Sequence, residues 1–327
     1  MTKTRPRSLL TALLLLALAP TTASAQSDTY PSKPVRFISD SAAGSSPDVG
    51  LRIVAEGLSQ LWGQQVVVEN RPGASGAISA QAAASATPDG YTLYAPALST
   101  FLTLPGRAPN LPLMLPRDFI PIGFTFDQPM SVGVSPTLGV NTLPELIALA
   151  KTKPGEITYS VAGVGRMTHL TGELLQIRSG IKLQVVPYTG GAAQALSDIV
   201  AGRIAMIVEG YAGMAGIYAA GTLKPLAVGS AQRLAEAPDI PTVAETLPGF
   251  VAAGWQVVVA PNGTPDAVVK KVGADVAKVL TTPEMIGRLK TRGSYPRVMS
   301  AAETEAFVRD QQTMWKPAME HIASETK

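Results

Sequence analysis

The feature that most constrains the fold of this 327-residue chain is an alternation of short apolar segments with segments of helical periodicity. The run from Val35 to Ile38 predicts a short strand. Leu51, Val54 and Leu58 then recur at the spacing of one face of a helix. The next apolar run, Val66-Val67-Val68, predicts a buried strand. A chain that begins in this way is expected to form β-α-β units.

The alternation continues along the chain. Further strands are predicted at 91–95, 156–160, 182–187, 204–209 and 223–229, and further helices at 77–86, 142–151, 167–178 and 191–201. Thr142 and Glu145 match a capping box, and Thr264-Pro265, Thr282-Pro283 and Ser300-x-x-Glu303 mark later helix starts. Strands separated by helices predict parallel sheets with right-handed crossovers, and so an α/β fold.

The first twenty-five residues have the pattern of an export signal. Lys3, Arg5 and Arg7 precede an almost wholly apolar run from Leu9 to Leu18, and Ala23-Ser24-Ala25 then supplies small residues for cleavage. The apolar run is too short to span a bilayer, so a signal peptide at 1–25 is predicted rather than a membrane anchor. We therefore expect a periplasmic protein that is cleaved near Ala25.

Composition narrows the classes of function. The net charge of +3 comes entirely from the three basic residues of the signal, and the remaining chain has equal numbers of acidic and basic residues. This balance gives no support for a nucleic-acid partner. The chain has no cysteine, so its domains are held by burial alone, and its length allows two of them.

Most chemistry-bearing motifs are missing. The only two histidines are His169 and His321, and no paired-histidine motif occurs, so no metal site is predicted. Gly163-Val164-Gly165 follows a predicted strand, but Thr168 stands where a dinucleotide fingerprint needs its third glycine. We predict no cofactor and no catalytic residues. A secreted α/β enzyme that uses acidic residues remains the alternative from another class.

Two strand-to-helix loops carry the expectation of a binding site. The first runs from Asp40 to Ser46, and the second from Val161 to Thr168. The first consists mainly of alanine and serine, and the second contains two glycines and an alanine, so main-chain N–H groups can approach a ligand, and helix N-termini follow both loops. Two facing loops of this kind can hold a carboxylate without a buried counter-ion. Tight turns that bind no ligand are the alternative.

An ordered set of motifs resembles a known family. The motifs are Tyr30-Pro-Ser-Lys-Pro-Val35-Arg, Val-Val-Glu69-Asn-Arg-Pro-Gly73-Ala, Pro88-Asp-Gly-Tyr-Thr-Leu93, Gly163-Val-Gly-Arg-Met-Thr-His169-Leu, Val186-Pro-Tyr-Thr-Gly-Gly191-Ala, Pro241-Thr-Val-Ala-Glu245 and Ala260-Pro-Asn-Gly-Thr-Pro265. Together they resemble the Bug family, the substrate-binding proteins of tripartite tricarboxylate transporters. The resemblance is collinear over nearly all of the chain that follows the signal.

The resemblance implies a periplasmic binding protein-like fold of type II, with two lobes and a ligand cleft between them. We expect lobe 1 at 27–127 plus 254–327, and lobe 2 at 128–253. The family implies a monomer that captures a small carboxylate, including di- or aromatic carboxylates, and delivers it to membrane transporter subunits. A protein that presents its ligand to a sensor is a further alternative.

The site residues expected from the two loops and the resemblance are Ser41, Ala42, Ala43, Gly44, Ser45, Ser46, Asp48, Ala162, Gly163, Gly165, Arg166, Met167, Thr168 and Gly191. The chain departs from the family at Asp40 and Ser41, which replace a proline and a phenylalanine. Asp48 either contacts ligand or caps its helix. Arg166 replaces a small polar residue and is expected to bind a second carboxylate through its guanidinium, the alternative being a solvated surface charge.

Overall fold

The computed structural model describes residues 30–107, 115–188 and 192–325. Their ten strands are β1 (Val35–Ser39), β2 (Val66–Asn70), β3 (Thr92–Ala95), β4 (Phe119–Val134), β5 (Thr158–Val161), β6 (Gln184–Pro187), β7 (Met206–Gly210), β8 (Lys224–Val228), β9 (Ala253–Pro261) and β10 (Tyr295–Pro296).

Ten α-helices accompany these strands in the described part of the chain. They are α1 (Ser46–Trp62), α2 (Ala77–Ala84), α3 (Leu98–Arg107), α4 (Leu143–Thr152), α5 (Met167–Ser179), α6 (Ala192–Val200), α7 (Tyr211–Ala219), α8 (Asp266–Leu280), α9 (Pro283–Lys290) and α10 (Ala301–Glu325). None of the described helices is both long and apolar enough to span a membrane.

The strands form one mixed sheet with two parallel regions. The order is β2-β1-β3-β9-β4-β7-β5-β6, with β8 and β10 also pairing with β4. Strands β1, β2 and β3 are parallel, as are β5, β6 and β7. The α/β prediction is confirmed. The expectation of purely parallel sheets is wrong, because β4 and β9 run antiparallel to their neighbours.

Strand β4 joins the two parallel regions. Its first part, Phe119 to Pro129, pairs with β9, whereas Met130 to Val134 pair with β7 and β8. Trp255 on β9 is 3 % exposed and stacks against Phe101, with ring centroids 5.9 Å apart. One cluster of buried apolar residues includes both Phe124 and Val132, so the apolar core runs continuously past the point where β4 changes partners.

Local sequence signals explain several helix starts. Thr282 and Ser300 accept hydrogen bonds from the third residue of α9 and from Glu303, as their motifs predict. Thr142 accepts from Glu145 N at 3.3 Å, but the Glu145 carboxylate bonds Asn141 N rather than Thr142 N, so the predicted box is only half formed.

Candidate functional site

The first loop follows β1 and is shaped by the side chain of Asp48. Asp48 is 1 % exposed, and its Oδ2 accepts from Gly44 N at 2.8 Å and from Arg52 Nε at 3.0 Å. Its Oδ1 accepts from Asn70 Nδ2 at 2.7 Å. The expected alternative role of Asp48 as a helix cap is wrong, because α1 has its N-cap at Ser45. The carboxylate instead holds the loop in place.

The remaining side chains of the first loop bond mainly within the protein. Ser45 Oγ donates to Ala42 O at 2.7 Å, and Ser41 Oγ lies 3.4 Å from Asp40 Oδ1. Ala43 and Gly44 are exposed, and Gly44 has a φ of +77°. The backbone at Ala43 and Gly44, rather than the serine hydroxyls, faces outward from this loop.

The second loop follows β5 and is held by two residues of the first turn of α5. Thr168 Oγ1 accepts from Ala162 N at 2.9 Å, and His169 Nδ1 accepts from Gly165 N at 3.0 Å. Both side chains are buried. The same arrangement occurs in the first loop, where Asp48 holds Gly44. In each loop the following helix therefore fixes the conformation of the peptide before it.

The buried carboxylate of Glu173 contacts the other ring nitrogen of His169. His169 Nε2 lies 3.3 Å from Glu173 Oε1, which also accepts from Tyr159 OH at 2.8 Å. Burial acts to raise the pKa of Glu173, but the hydrogen bonds from His169 and Tyr159 offset it and hold that pKa below its ordinary value. On α10, His321 Nε2 lies 3.4 Å from Glu173 Oε2. His169 is thus a structural hydrogen-bonder, as the sequence predicts.

Neither helix that begins at a loop is capped by its own N-cap side chain. The N-cap residues are Ser45 for α1 and Arg166 for α5, and neither side chain accepts a hydrogen bond from its helix. The first amides of a helix have no partner within the helix and carry a partial positive charge. Both loops therefore end in N–H groups suited to an anion.

The two loops meet through an ion pair. Arg166 Nη1 lies 3.7 Å from Asp40 Oδ2, and the two side chains are 20 % and 0 % exposed. Asp40 also accepts hydrogen bonds from Ala97 N and Thr100 Oγ1 at the start of α3. The alternative of a solvated surface charge for Arg166 is wrong, because its partner is a buried carboxylate of the first loop.

Ser46, at the start of α1, contacts two elements outside the second loop. Ser46 Oγ accepts from Gly213 N at 2.9 Å, in the first turn of α7, and Ser46 O accepts from Gln128 Nε2 at 2.7 Å. Met167, at the start of α5, is buried and lies against Gly254. The Asp40–Arg166 pair therefore brings the two predicted loops together. Gly191 lies outside the described residues.

Sequence reasoning missed several groups around the loops. Ala97 and Thr100 fix Asp40, and no sequence pattern marks them. Glu209 and Ser160 lie near the carboxyl ends of β7 and β5, beside Ala162. An acid at the end of a predicted parallel strand is a signal that could have identified Glu209, since ligands bind at such ends. The described residues contain no group of three side chains suited to a metal ion.

This arrangement, two loops of mainly small residues at the carboxyl ends of two sets of parallel strands, defines a solute-binding protein of the α/β class. The model of the tripartite tricarboxylate transporter family receptor matches residues 51–323, and the chain belongs to that family.

Similar proteins agree with this assignment. BugT of Bordetella pertussis is 31 % identical over 316 residues, which are 96 % of this chain and 97 % of BugT. The structure of Rpa4515 of R. palustris with adipate is 29 % identical, covers 90 % of this chain and 98 % of its own, and gives a TM-score of 0.84. The periplasmic binding protein BugD is 30 % identical, with coverages of 90 % and 99 % and a TM-score of 0.79.

Proposed function

We propose that this protein captures a small carboxylate between its two loops and delivers it to a tripartite tricarboxylate-type transporter. The observation that carries the proposal is the ion pair between Asp40 of the first loop and Arg166 of the second, because it joins two loops that each lead into an uncapped helix N-terminus. Amides at such termini favour anions without a buried counter-ion. The ligand class is supported by Rpa4515, a relative whose structure contains adipate.

The ligand contacts that we propose are the outward-facing parts of the loops. In the first loop these are the backbone N–H groups of Ala42 and Ala43, since that of Gly44 is bonded to Asp48, and in the second the backbone of Gly163 and the first amides of α5. Asp48, Thr168 and Ser46 act as positioning residues, since their side chains bond the protein itself.

We further propose that the cleft separates two lobes, 27–127 plus 254–327 and 128–253. The exchange of partners along β4 supports this division, because it occurs between Pro129 and Met130, close to the proposed boundary. Membership of the receptor family supports a periplasmic location, a monomer and a non-enzymatic role. The acids of the first loop support the last point, because Asp40 and Asp48 are engaged by backbone amides and by arginines.

Thermal denaturation in the presence of mono-, di-, tri- and aromatic carboxylates tests the ligand class. A ligand that binds only the native state raises the melting temperature, and the amide of the same acid is expected to have no effect. An equal rise in melting temperature with a carboxylate and with its amide would contradict the proposal. Hydrolysis of esters or glycosides by the purified protein would instead favour the enzyme alternative.

Matched glycine variants test the site. Gly44 and Gly139 have φ values of +77° and +76°, and a Cβ at either position meets nothing within 4 Å. Valine costs roughly 1–2 kcal/mol of backbone strain at both positions. We expect Gly44→Val to abolish calorimetric binding of the best carboxylate and Gly139→Val to leave it unchanged. Equal affinities in the two variants would remove the first loop from the site.

A further inference from the structure

The first turn of α7 is capped by a side chain from a distant part of the chain. Helix α7 begins after Gly210, which has no side chain to cap it. The N–H of Gly213, the third residue of α7, donates instead to Ser46 Oγ at 2.9 Å. An N-cap side chain normally accepts this bond. Ser46, the first residue of α1, therefore caps a helix other than its own.

Ser46 approaches α7 closely because glycine occupies the neighbouring positions. A Cβ at Gly210 would lie 2.9 Å from Ser46 Oγ, and a Cβ at Gly213 would lie at the same distance. Both distances are shorter than the contacts that Cβ atoms make in proteins. The bond between Ser46 and α7 therefore depends on the lack of a side chain at both glycines.

A second segment packs on the same turn of α7. A Cβ at Gly293, which follows α9, would lie 2.8 Å from the ring of Tyr211 and 3.0 Å from the backbone nitrogen of Ala212. Ser46 and Gly293 both belong to the proposed lobe 1, whereas α7 belongs to the proposed lobe 2. The first turn of α7 thus contacts two separate segments of the opposite lobe.

These contacts lie beside the strand that connects the lobes, on the side of the ligand loops. Ser46 O accepts from Gln128 Nε2 at 2.7 Å, and Gln128 lies on β4 just before its change of partners at Met130. Ser46 ends the first loop, and α7 begins at the carboxyl end of β7, which is parallel to β5. A rotation about β4 that opens the cleft therefore separates Ser46 from α7.

We propose that the bond from Gly213 N to Ser46 Oγ forms when the lobes close over the ligand and breaks when they open. The inference rests on the proposed function, and it adds the contact that sets the ratio of closed to open protein. A ligand that binds the closed state is bound more weakly when that state is less populated.

Alanine variants test this contact by calorimetry with the tightest-binding of succinate, adipate, citrate and benzoate. Ser46→Ala should weaken binding about two- to thirtyfold, the contribution of one helix cap. Gly213→Ala should weaken it by a similar factor, because the Ser46 hydroxyl must turn away from the new methyl group. The double variant should bind as Ser46→Ala does, because a Cβ at Gly213 meets only Ser46 Oγ among the described residues outside α7.

Gly216→Ala is the matched control on the same helix, since a Cβ there meets nothing within 4 Å in the described part of the chain. It should leave the affinity unchanged. Gly213→Ala should not lower the melting temperature of the ligand-free protein, because alanine favours a helix. Wild-type affinity in Gly213→Ala, additive losses in the double variant, or a lowered melting temperature of ligand-free Gly213→Ala would overturn the inference.

Small-angle scattering separates the inference from the proposed function. Wild type saturated with the same carboxylate should have a smaller radius of gyration than the ligand-free protein. Binding without a change in the radius would overturn the inference and leave the proposed function standing. Failure of every carboxylate to bind to the wild type would overturn the proposed function, and the inference with it.

Discussion

At the scale of single residues, two of the three positions at which the chain departs from the family pattern, Asp40 and Arg166, contact each other. Asp40 and Arg166 stand in different loops, and each replaces a residue without charge. In the structure they form one ion pair, with Asp40 completely buried. Arg166 was expected to bind a second carboxylate of the ligand, and in the structure the carboxylate of Asp40 already occupies part of that role. Its single contact, longer than a hydrogen bond, leaves the guanidinium able to contact a ligand as well.

Removal of the Asp40 charge should change the selectivity for ligand charge. Asp40→Asn keeps the shape and an oxygen that can accept from Ala97 N, but it leaves Arg166 unbalanced. We expect affinity for dicarboxylates to rise about tenfold relative to monocarboxylates. Calorimetry of succinate against butyrate measures this ratio.

Two further variants complete that comparison. Arg166→Ala should lower the same ratio, and Asp266→Asn, on the exposed surface of α8, should not change it. An unchanged ratio in Asp40→Asn would show that the ligand does not sense the Asp40–Arg166 pair.

At the scale of elements, strand β4 connects the two parallel regions. It carries Asp127, whose ionised form is disfavoured by burial. Burial raises the pKa of Asp127 to about 6, against a smaller lowering effect of Arg297. Arg297 Nε lies 3.4 Å from Asp127 Oδ2, and its guanidinium also lies over the ring of Phe124. The ionised form of Asp127 is therefore less favourable in the folded chain than in the unfolded chain.

The pH dependence of stability tests this reading. The folded state retains a proton that the unfolded chain releases near pH 3.8. Asp127 therefore stabilises the fold at low pH, and this contribution is lost as the pH rises through about 6. Between pH 4 and pH 7, wild type should lose about 1–3 kcal/mol of unfolding free energy relative to Asp127→Asn. Urea denaturation at both pH values measures the difference.

The control for this experiment is Asp310→Asn, an exposed change on α10. The free energy of unfolding of this variant should change with pH by the same amount as that of the wild type. Parallel curves for wild type and Asp127→Asn would show that Asp127 has an ordinary affinity for protons in the folded state.

Elements with strong local signals were predictable, and those without were not. Helix α5 directly follows a loop that contains Gly163 and Gly165, and its start at Met167 was predicted correctly. The first half of β4 was missed because Pro121 and Pro129 interrupt the strand pattern and two register shifts break its alternation. Helix α7 was missed because it lacks both a side-chain cap and an amphipathic pattern.

The sequence predicted the two loops of the site but not the contacts that hold them together. Small residues before a helix mark each loop locally, which is why both were found. The pairing of Asp40 with Arg166, and of Ser46 with Gly213, depends on how distant segments pack, and no local pattern encodes it. The clamping role of Asp48 was missed for the same reason, since Asn70 comes from the next strand.

At the scale of the whole molecule, two sets of parallel strands point their carboxyl ends at one place, and helices α1 and α5 begin there. Loops held by Asp48, Thr168 and His169 present fixed amides at that place. Fixed donors bind an anion without the entropy loss of ordering flexible side chains. We therefore expect a carboxylate to bind between the first and second loops.

The most direct test is a crystal structure of the protein with the tightest carboxylate from the thermal screen. We expect the carboxylate oxygens within about 3.2 Å of main-chain N–H groups from both loops, with Arg166 beside them. A control crystal grown with the corresponding amide should show no density there. A carboxylate bound with high occupancy at any place that contacts neither loop would contradict the account.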